Sequence, residues 1–298
     1  MRKRGSLLGN QTGAWFLFVS PAFIVILALS LYPLLYTFYL SVHQYNIASG
    51  MPKRFNGLAN FIGIIRNEGF LNSLKVTFIY VFIGVSSTMV LGVALALLLN
   101  GSGFIIRVLR GVALLPMLIC GVALVLAWQL LYGSDFGLFN MILEALGLPA
   151  RNWLGDPKIT LYAMVLTDIW QCTPFVMILA LAGIQSISEE YYEAAAIDGA
   201  NRPQVLFRIT LPLLKNVLLT ILIMRMIDCF KTFEKPRLLT NNGGPARATE
   251  LVTLYVYKQS FEGWEYGIGA MGAVVIAVLI AILTVFIIKL SHLNVGAE

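Results

Sequence analysis

The sequence predicts an all-α membrane protein with about six transmembrane helices, and two observations carry that prediction. Of its 298 residues, 58% are hydrophobic and only 12% charged, with a mean hydropathy of +0.81. A water-soluble chain of this length needs far more charge to cover its surface. The apolar residues also gather into runs close to the roughly 20 residues that cross a bilayer as a helix. Six such runs stand at 14–40, 74–99, 108–132, 160–184, 213–230 and 267–290.

The first run, Ala14 to about Leu40, is too long for the apolar region of a signal peptide and lacks a cleavage pattern, so it reads as a retained span. Arg2, Lys3 and Arg4 place the N-terminus in the cytoplasm, and six crossings return the C-terminus there. The short link 100–107, with Arg107 and nearby Arg110, then lies inside as well. The outer segments also carry Lys53, Arg54, Arg66, Lys231, Lys235, Arg237 and Arg247, so charge alone gives an uneven orientation signal. Pro21, Pro33, Pro116 and Pro174 fall inside spans and predict kinks. Residues 43–73 and 133–159 are expected to form short interfacial helices, and NNGGPARAT within 231–266 reads as turns. Span five is the shortest and carries Arg225 and Asp228, while Gly267, Gly269, Ala270, Gly272 and Ala273 give span six a helix-packing face. No repeat or hinge divides the chain, which reads as a single membrane domain over 1–298 with its core at about 70–290.

Other features exclude function classes. The net charge of +6 is scattered over short connections with no basic patch, which fits anionic lipid and not nucleic acid. Cys120, Cys172 and Cys229 sit in apolar segments and read as small buried hydrophobes, with no disulfide or metal role. Trp15, Tyr32, Tyr36 and Tyr39 read as interfacial or packing aromatics, and His43 and His292 as solvated. Protease motifs such as HExxH and GxSxG are missing, as is a GxxxxGK[ST] phosphate loop, so neither catalysis nor a cofactor is expected.

Between spans four and five, residues 185–212 interrupt the apolar pattern with EAAAIDGANRPQVLFRITLP over 193–212. Ser186 with Glu189, or Ser188 as a rival cap, predicts a helix start, and Gly199 can take the left-handed conformation that ends a helix near Asp198. Asn201 can cap a second short helix with Pro203 in its first turn, and Pro212 can open span five in the same way. The stretch therefore reads as helix, bend, helix outside the bilayer, and the alanines leave a flat surface for close approach.

Glu193, Ala194 and Ala195, then Gly199 after three residues and Ile209, Leu211 and Pro212 after nine more, resemble the E-A-A signature of permease subunits in binding-protein-dependent ABC importers. Asp198 and Ala200 around the glycine are similar to the sugar and polyol branch, as are YPLLYTFYLS at 32–41, FNGLANF at 55–61, WQLLYG at 128–133 and LTNNGGP at 239–245. NNGGP departs from relatives that more often carry a third glycine there. The resemblance implies the type I ABC importer permease fold in the cytoplasmic (inner) membrane of a bacterium or archaeon. It implies a second, similar permease, two ATP-binding subunits, an external solute-binding protein and a carbohydrate as cargo. It also implies that the elbow docks on an ATPase, with Glu193, Ala194, Ala195, Asp198 and Gly199 as coupling residues.

Charges inside a membrane are costly and are functional candidates by default. Asp168 in span four and Arg225 in span five are expected at similar depth, with Asp228 on the same face as Arg225 at i+3. Gln171 and Phe175 stack below Asp168, with Trp170 on an adjoining face. Asp168, Trp170, Gln171, Arg225 and Asp228 are thus candidates for a sugar pathway, against the plainer reading of Arg225 and Asp228 as a structural ion pair. An ion-coupled secondary transporter using Asp168 or Asp228 is the alternative function; it leaves the elbow unexplained.

Overall fold

The computed structural model describes residues 11–293, with side chains described over 19–290. The Arg2, Lys3 and Arg4 cluster lies outside the described residues, as do the side chains of Trp15 and His292. Among the described residues the regular structure is helical apart from one small hairpin and an isolated bridge between Asn46 and Glu265. The chain divides into two compact units, residues 1–65 with 258–275, and residues 66–257 with 276–298.

In the first unit, α1 (Gln11–Ser41) runs as one helix through Pro21 and Pro33. Its surface is almost all apolar and exposed, including Leu29 and Phe23, as a helix facing lipid or another membrane helix must be. β1 (His43–Gln44) pairs antiparallel with β2 (Arg54–Phe55), His43 opposite Phe55, and α2 (Ala59–Arg66) follows. The expected short helix is therefore present in 43–73, but a hairpin precedes it. Asn60 closes the hairpin by donating to the carbonyls of Ser41 and His43, at 2.8 and 2.9 Å. The final helix α13 (Tyr266–Leu293) begins here. Gly269 packs on Ser260 of the helical turn Lys258–Glu262, whereas Gly267 meets not a helix but the His43 carbonyl, and a Cβ has no room at either.

The second unit is built on α3 (Glu68–Leu98) and α7 (Thr160–Gln185), the most extensively packed helix pair. Asn67 caps α3 by accepting from the Phe70 amide at 3.0 Å, with Glu68 complementing the dipole in the first turn. A Cβ at Gly92 of α3 would lie 2.5 Å from Val176 Cβ of α7, so glycine lets the two backbones close together. Buried Thr77, Thr88 and Thr167 return their hydroxyls to carbonyls four residues earlier, which hides polar groups from lipid. Only Cys229 of the three cysteines is buried; Cys172 is half-buried and Cys120 exposed, because residue 120 falls at a helix break.

Among the described residues, four helices are long and apolar enough to cross a membrane alone, and the count rises to six where each of two bent pairs is taken as one span. The third span is one of these, not the continuous helix expected over 108–132. α4 (Phe104–Leu118) and α5 (Gly121–Leu131) meet at 96°, with Ile119 and Cys120 extended between them and Pro116 in the last turn of α4. The fifth is the other, with segments 202–213 and 215–239 meeting at 67°. Pro212 does not open it but sits just before the bend at Leu214. The Leu211 amide reaches back to the Leu206 carbonyl, five residues away, in a π-turn over Leu206–Thr210. Pro212 has no N–H to offer, and the shifted register beside it matches that loss. The expected helix in 133–159 is α6 (Leu138–Ala145).

Candidate functional site

Two places in the second unit hold the candidate residues. The first is the elbow. α8 (Glu189–Ile197) starts at Ser188, whose hydroxyl accepts from the Glu190 amide at 3.4 Å; the Ser186 hydroxyl is used instead on the Gly183 carbonyl. Asp198 forms the C-cap, and Gly199 follows at φ +71°, a conformation that costs any residue with a Cβ. Asn201 and Gln204 then make a full capping box for α9 (Arg202–Val205), with bonds of 3.0 and 2.8 Å. Ala195 is buried, whereas Glu193, Ala194, Asp198 and Gly199 are exposed. Ile197 is 87% exposed, so this end of the elbow presents an apolar side chain beside a carboxylate.

The second place is a chain of charges between α7 and α11 (Lys215–Lys231). Arg225 is 1% exposed and donates to Asp168 Oδ2 at 2.8 Å and to Asp228 Oδ2 at 2.6 Å. The other oxygen of Asp168 accepts from Lys235 Nζ at 2.7 Å. Lys235 begins a second π-turn, Lys235–Leu239, just beyond α11. Two carboxylates and two cations make the chain of charges neutral overall, which is how charge survives inside an apolar bundle. Gly84 of α3 leaves room for the cluster: a Cβ there would stand 3.3 Å from Asp168 Oδ2. Asp168 and Lys235 are deeply buried, but the Asp228 side chain is 67% exposed.

Asp228 faces a cavity of about 580 Å³ that Gln171, Phe175 and Arg225 also line, together with Met117, Met224 and Lys231. Trp170 is not in it. Its ring packs edge-on to Trp128 at 5.6 Å and lines a separate apolar hollow with Leu124 and Phe139. Asp168 lies behind the cavity wall, joined to it by two lining residues, Arg225 and Lys235. Lys235 is the member that sequence reasoning missed. It stands in the segment after α11 among several other basic residues, and no local pattern marks it as the partner of a carboxylate 67 positions earlier.

The chain matches the family described as binding-protein-dependent transport system inner membrane component over residues 88–294. It is 37% identical to the trehalose/maltose transport system permease protein of Thermococcus litoralis, covering 93% of each chain. A sulfoquinovosyl glycerol transport system permease protein of Agrobacterium fabrum is 31% identical, with 88% of this chain and 85% of that one covered. A bacterial alginate ABC transporter, solved with its periplasmic protein bound to alginate pentasaccharide, shares the fold. One of its chains superposes with a TM-score of 0.82 at 22% identity, covering 97% of this chain and 98% of that one. A match across both the apolar spans and the elbow leaves one assignment: the chain belongs to the binding-protein-dependent transport system inner membrane component family, the membrane permeases of ABC importers.

Proposed function

We propose that this chain is a permease subunit of an ATP-driven importer that passes a carbohydrate (a sugar, oligosaccharide or polyol) across the cytoplasmic membrane. It pairs with a second, similar permease, with two ATP-binding subunits and with an extracytoplasmic solute-binding protein, and both of its termini lie in the cytoplasm. The relatives support the cargo class, since their names specify trehalose, maltose and a sulfoquinovosyl glycerol. Hydrolysis belongs to the partner, because no phosphate loop occurs in this chain.

The observation that carries the coupling role is the exposed elbow. Glu193, Ala194, Asp198 and Gly199 stand on a doubly capped, glycine-bent pair of short helices between α7 and α11. Such an elbow is rigid enough to carry a push, and its carboxylate gives a partner a defined polar contact. Closure of the ATPases pulls the elbow, the bundle opens outward, and the solute enters from the loaded binding protein. Hydrolysis then resets it. The two states are discrete packings selected by partners. Asp168, Gln171, Arg225 and Asp228 flank the solute's path, with Trp170 outside it on the apolar side. The ion-coupled alternative loses Asp168, both of whose oxygens are held by cations, and it leaves the elbow without a role.

The test is a pull-down of the tagged chain from mild detergent, with and without Glu193→Lys, read by mass spectrometry. The expected result is an ATPase and a second permease, with ATPase recovery lowered several-fold by the substitution. A lone homo-oligomer without a nucleotide-binding partner overturns the importer. Equal ATPase recovery and normal uptake in Glu193→Lys overturn the elbow's role.

A further inference from the structure

Within the first unit, the hairpin that follows α1 has a cavity of its own. It measures about 560 Å³, and its lining includes Gln44, Ser49, Met51, Lys53, Arg54 and Glu265. The loop between β1 and β2 is fastened to the residues just before α13. Asn46 donates to Glu265 Oε1 at 2.7 Å, and the Ile47 amide donates to the Trp264 carbonyl at 3.2 Å. Asn46 Oδ1 also accepts from the Ser49 amide at 3.0 Å. The rim of the cavity is therefore set before any ligand arrives, which lowers the cost of binding one.

The two cations of the lining are available to a ligand in different ways. Lys53 donates to the Tyr36 hydroxyl at 2.6 Å and stands 5.0 Å from the Tyr36 ring centre and 4.7 Å from that of Tyr45. An ammonium has three N–H groups, so two remain. Arg54 is exposed, and its guanidinium has no partner among the described residues. Glu265 is the carboxylate of the lining, and Asn46 already holds one of its oxygens. Two cations and one carboxylate leave one net positive charge. Below Lys53, Tyr32, Tyr36, Tyr39 and His43 follow one another with ring centres 6.0, 6.1 and 4.0 Å apart. Leu29 and Leu35 of α1 are exposed too, and the apolar span ends at Ser41, two residues before the hairpin. The cavity thus stands at the height of a membrane surface, above an open apolar face.

We infer that this cavity binds the phosphodiester headgroup of an anionic glycerophospholipid, whose acyl chains lie along the tyrosine face of α1. Arg54 sets its planar fork against two phosphate oxygens, and Lys53, steadied by Tyr36, adds a point charge. The Gln44 amide offers a donor and an acceptor to a glycerol hydroxyl. The single net charge of the lining matches one phosphodiester, whereas a choline headgroup brings a further cation toward Lys53 and Arg54. A lipid is favoured over a soluble anion because the exposed apolar face begins where the cavity ends. The inference rests only on α1 crossing a bilayer, and neither the cargo nor the elbow enters it.

The test follows acetylation of Lys53 by acetic anhydride, an uncharged reagent, read at each lysine by peptide mass spectrometry. It uses the full chain with the subunits that copurify, in nanodiscs of phosphatidylcholine with or without phosphatidylglycerol. Exposed Lys158, in the loop before α7, is the internal reference, because a general surface potential slows both lysines. Expected is a ratio of Lys53 to Lys158 labelling that drops about fivefold with phosphatidylglycerol, the usual effect of one cation on an anionic lipid surface. Most of that drop is expected to disappear in Arg54→Gln, and inorganic phosphate added to phosphatidylcholine nanodiscs leaves the ratio unchanged. An equal ratio in the two membranes overturns the site. Undiminished protection in Arg54→Gln reduces the effect to surface charge and overturns it as well. Protection by inorganic phosphate alone assigns the cavity to a soluble anion, and protection only on adding a solute-binding protein assigns it to a protein partner; either result overturns the lipid.

Discussion

Lys235 Nζ lies 2.7 Å from Asp168 Oδ1, joining the π-turn after α11 to the middle of α7 deep within the second unit. Both side chains are almost wholly buried, and Asp168 is held between two cations, Lys235 and Arg225. Lys235→Met keeps the length and removes the charge, leaving Asp168 with one cation in place of two. Truncating one partner of a buried pair costs about 3–5 kcal/mol. The expected outcome is a clear drop in thermal stability in detergent, with the double variant Asp168→Asn and Lys235→Met losing less than the two single losses added. Additive losses in that cycle mean that the two side chains are not coupled.

That pair also marks what the sequence makes legible and what it does not. Apolar runs are a local property, so the candidate spans and their order can be read directly. The elbow is legible too, because Ser188, Gly199, Asn201 and Gln204 act on backbone groups within a few residues. Arg225 and Asp168 are visible as charges in oil at similar depth. The ion pair read from the sequence is Arg225 with Asp228, however, and the bond to Asp168 comes only from the packing of α7 on α11. Lys235 is invisible on those grounds, since its partner is fixed only by how α11 ends and the chain folds back. The bend at Ile119 and Cys120 is hidden for a related reason: the hydropathy of 108–132 is continuous, and only the extended backbone of two residues divides it.

The approach of α3 to α7 depends on Gly92. A Cβ there lies 2.5 Å from Val176 Cβ and 3.1 Å from the backbone nitrogen of Met177, so neither a rotamer change nor a small shift relieves it. Gly92→Ala is expected to destabilise by about 1–3 kcal/mol, the usual range for overpacking. Val176→Ala in the same chain removes the nearest atoms beyond Cβ and restores part of the loss. A Gly92→Ala chain as stable as the parent, by thermal unfolding in detergent, shows that the helices part without penalty.

The capping box at Asn201 is the hinge side of the elbow. Its two bonds, Gln204 N to Asn201 Oδ1 and Asn201 N to Gln204 Oε1, fix where α9 begins. Asn201→Ala removes a cap worth about 0.5–2 kcal/mol, a cost confined to the elbow since the site is exposed. Amide exchange across 202–206 is therefore expected to accelerate severalfold while that of α3 and α7 stays unchanged. Acceleration spread through α7 instead points to an elbow already loaded against the bundle.

In the first unit, Lys53 donates to the Tyr36 hydroxyl at 2.6 Å and stands 4.7 Å from the Tyr45 ring centre. The Tyr36 hydrogen bond favours the ammonium form, and the Lys53 pKa is raised above the usual lysine value as a result. Because the folded value is the higher one, any stability linked to Lys53 is present in full below the ordinary lysine pKa and disappears as pH climbs through the folded value. Full solvent exposure keeps that contribution minor, so titration is the sensitive readout and unfolding is not. Tyr36→Phe removes the acceptor but keeps the ring, and the Lys53 midpoint is expected to fall toward the ordinary lysine value. Titrating dimethylated lysines by carbon-13 NMR, with Lys53→Arg to assign the peak, measures it. A midpoint unmoved by Tyr36→Phe transfers the effect to the ring of Tyr45, where Tyr45→Leu then lowers it.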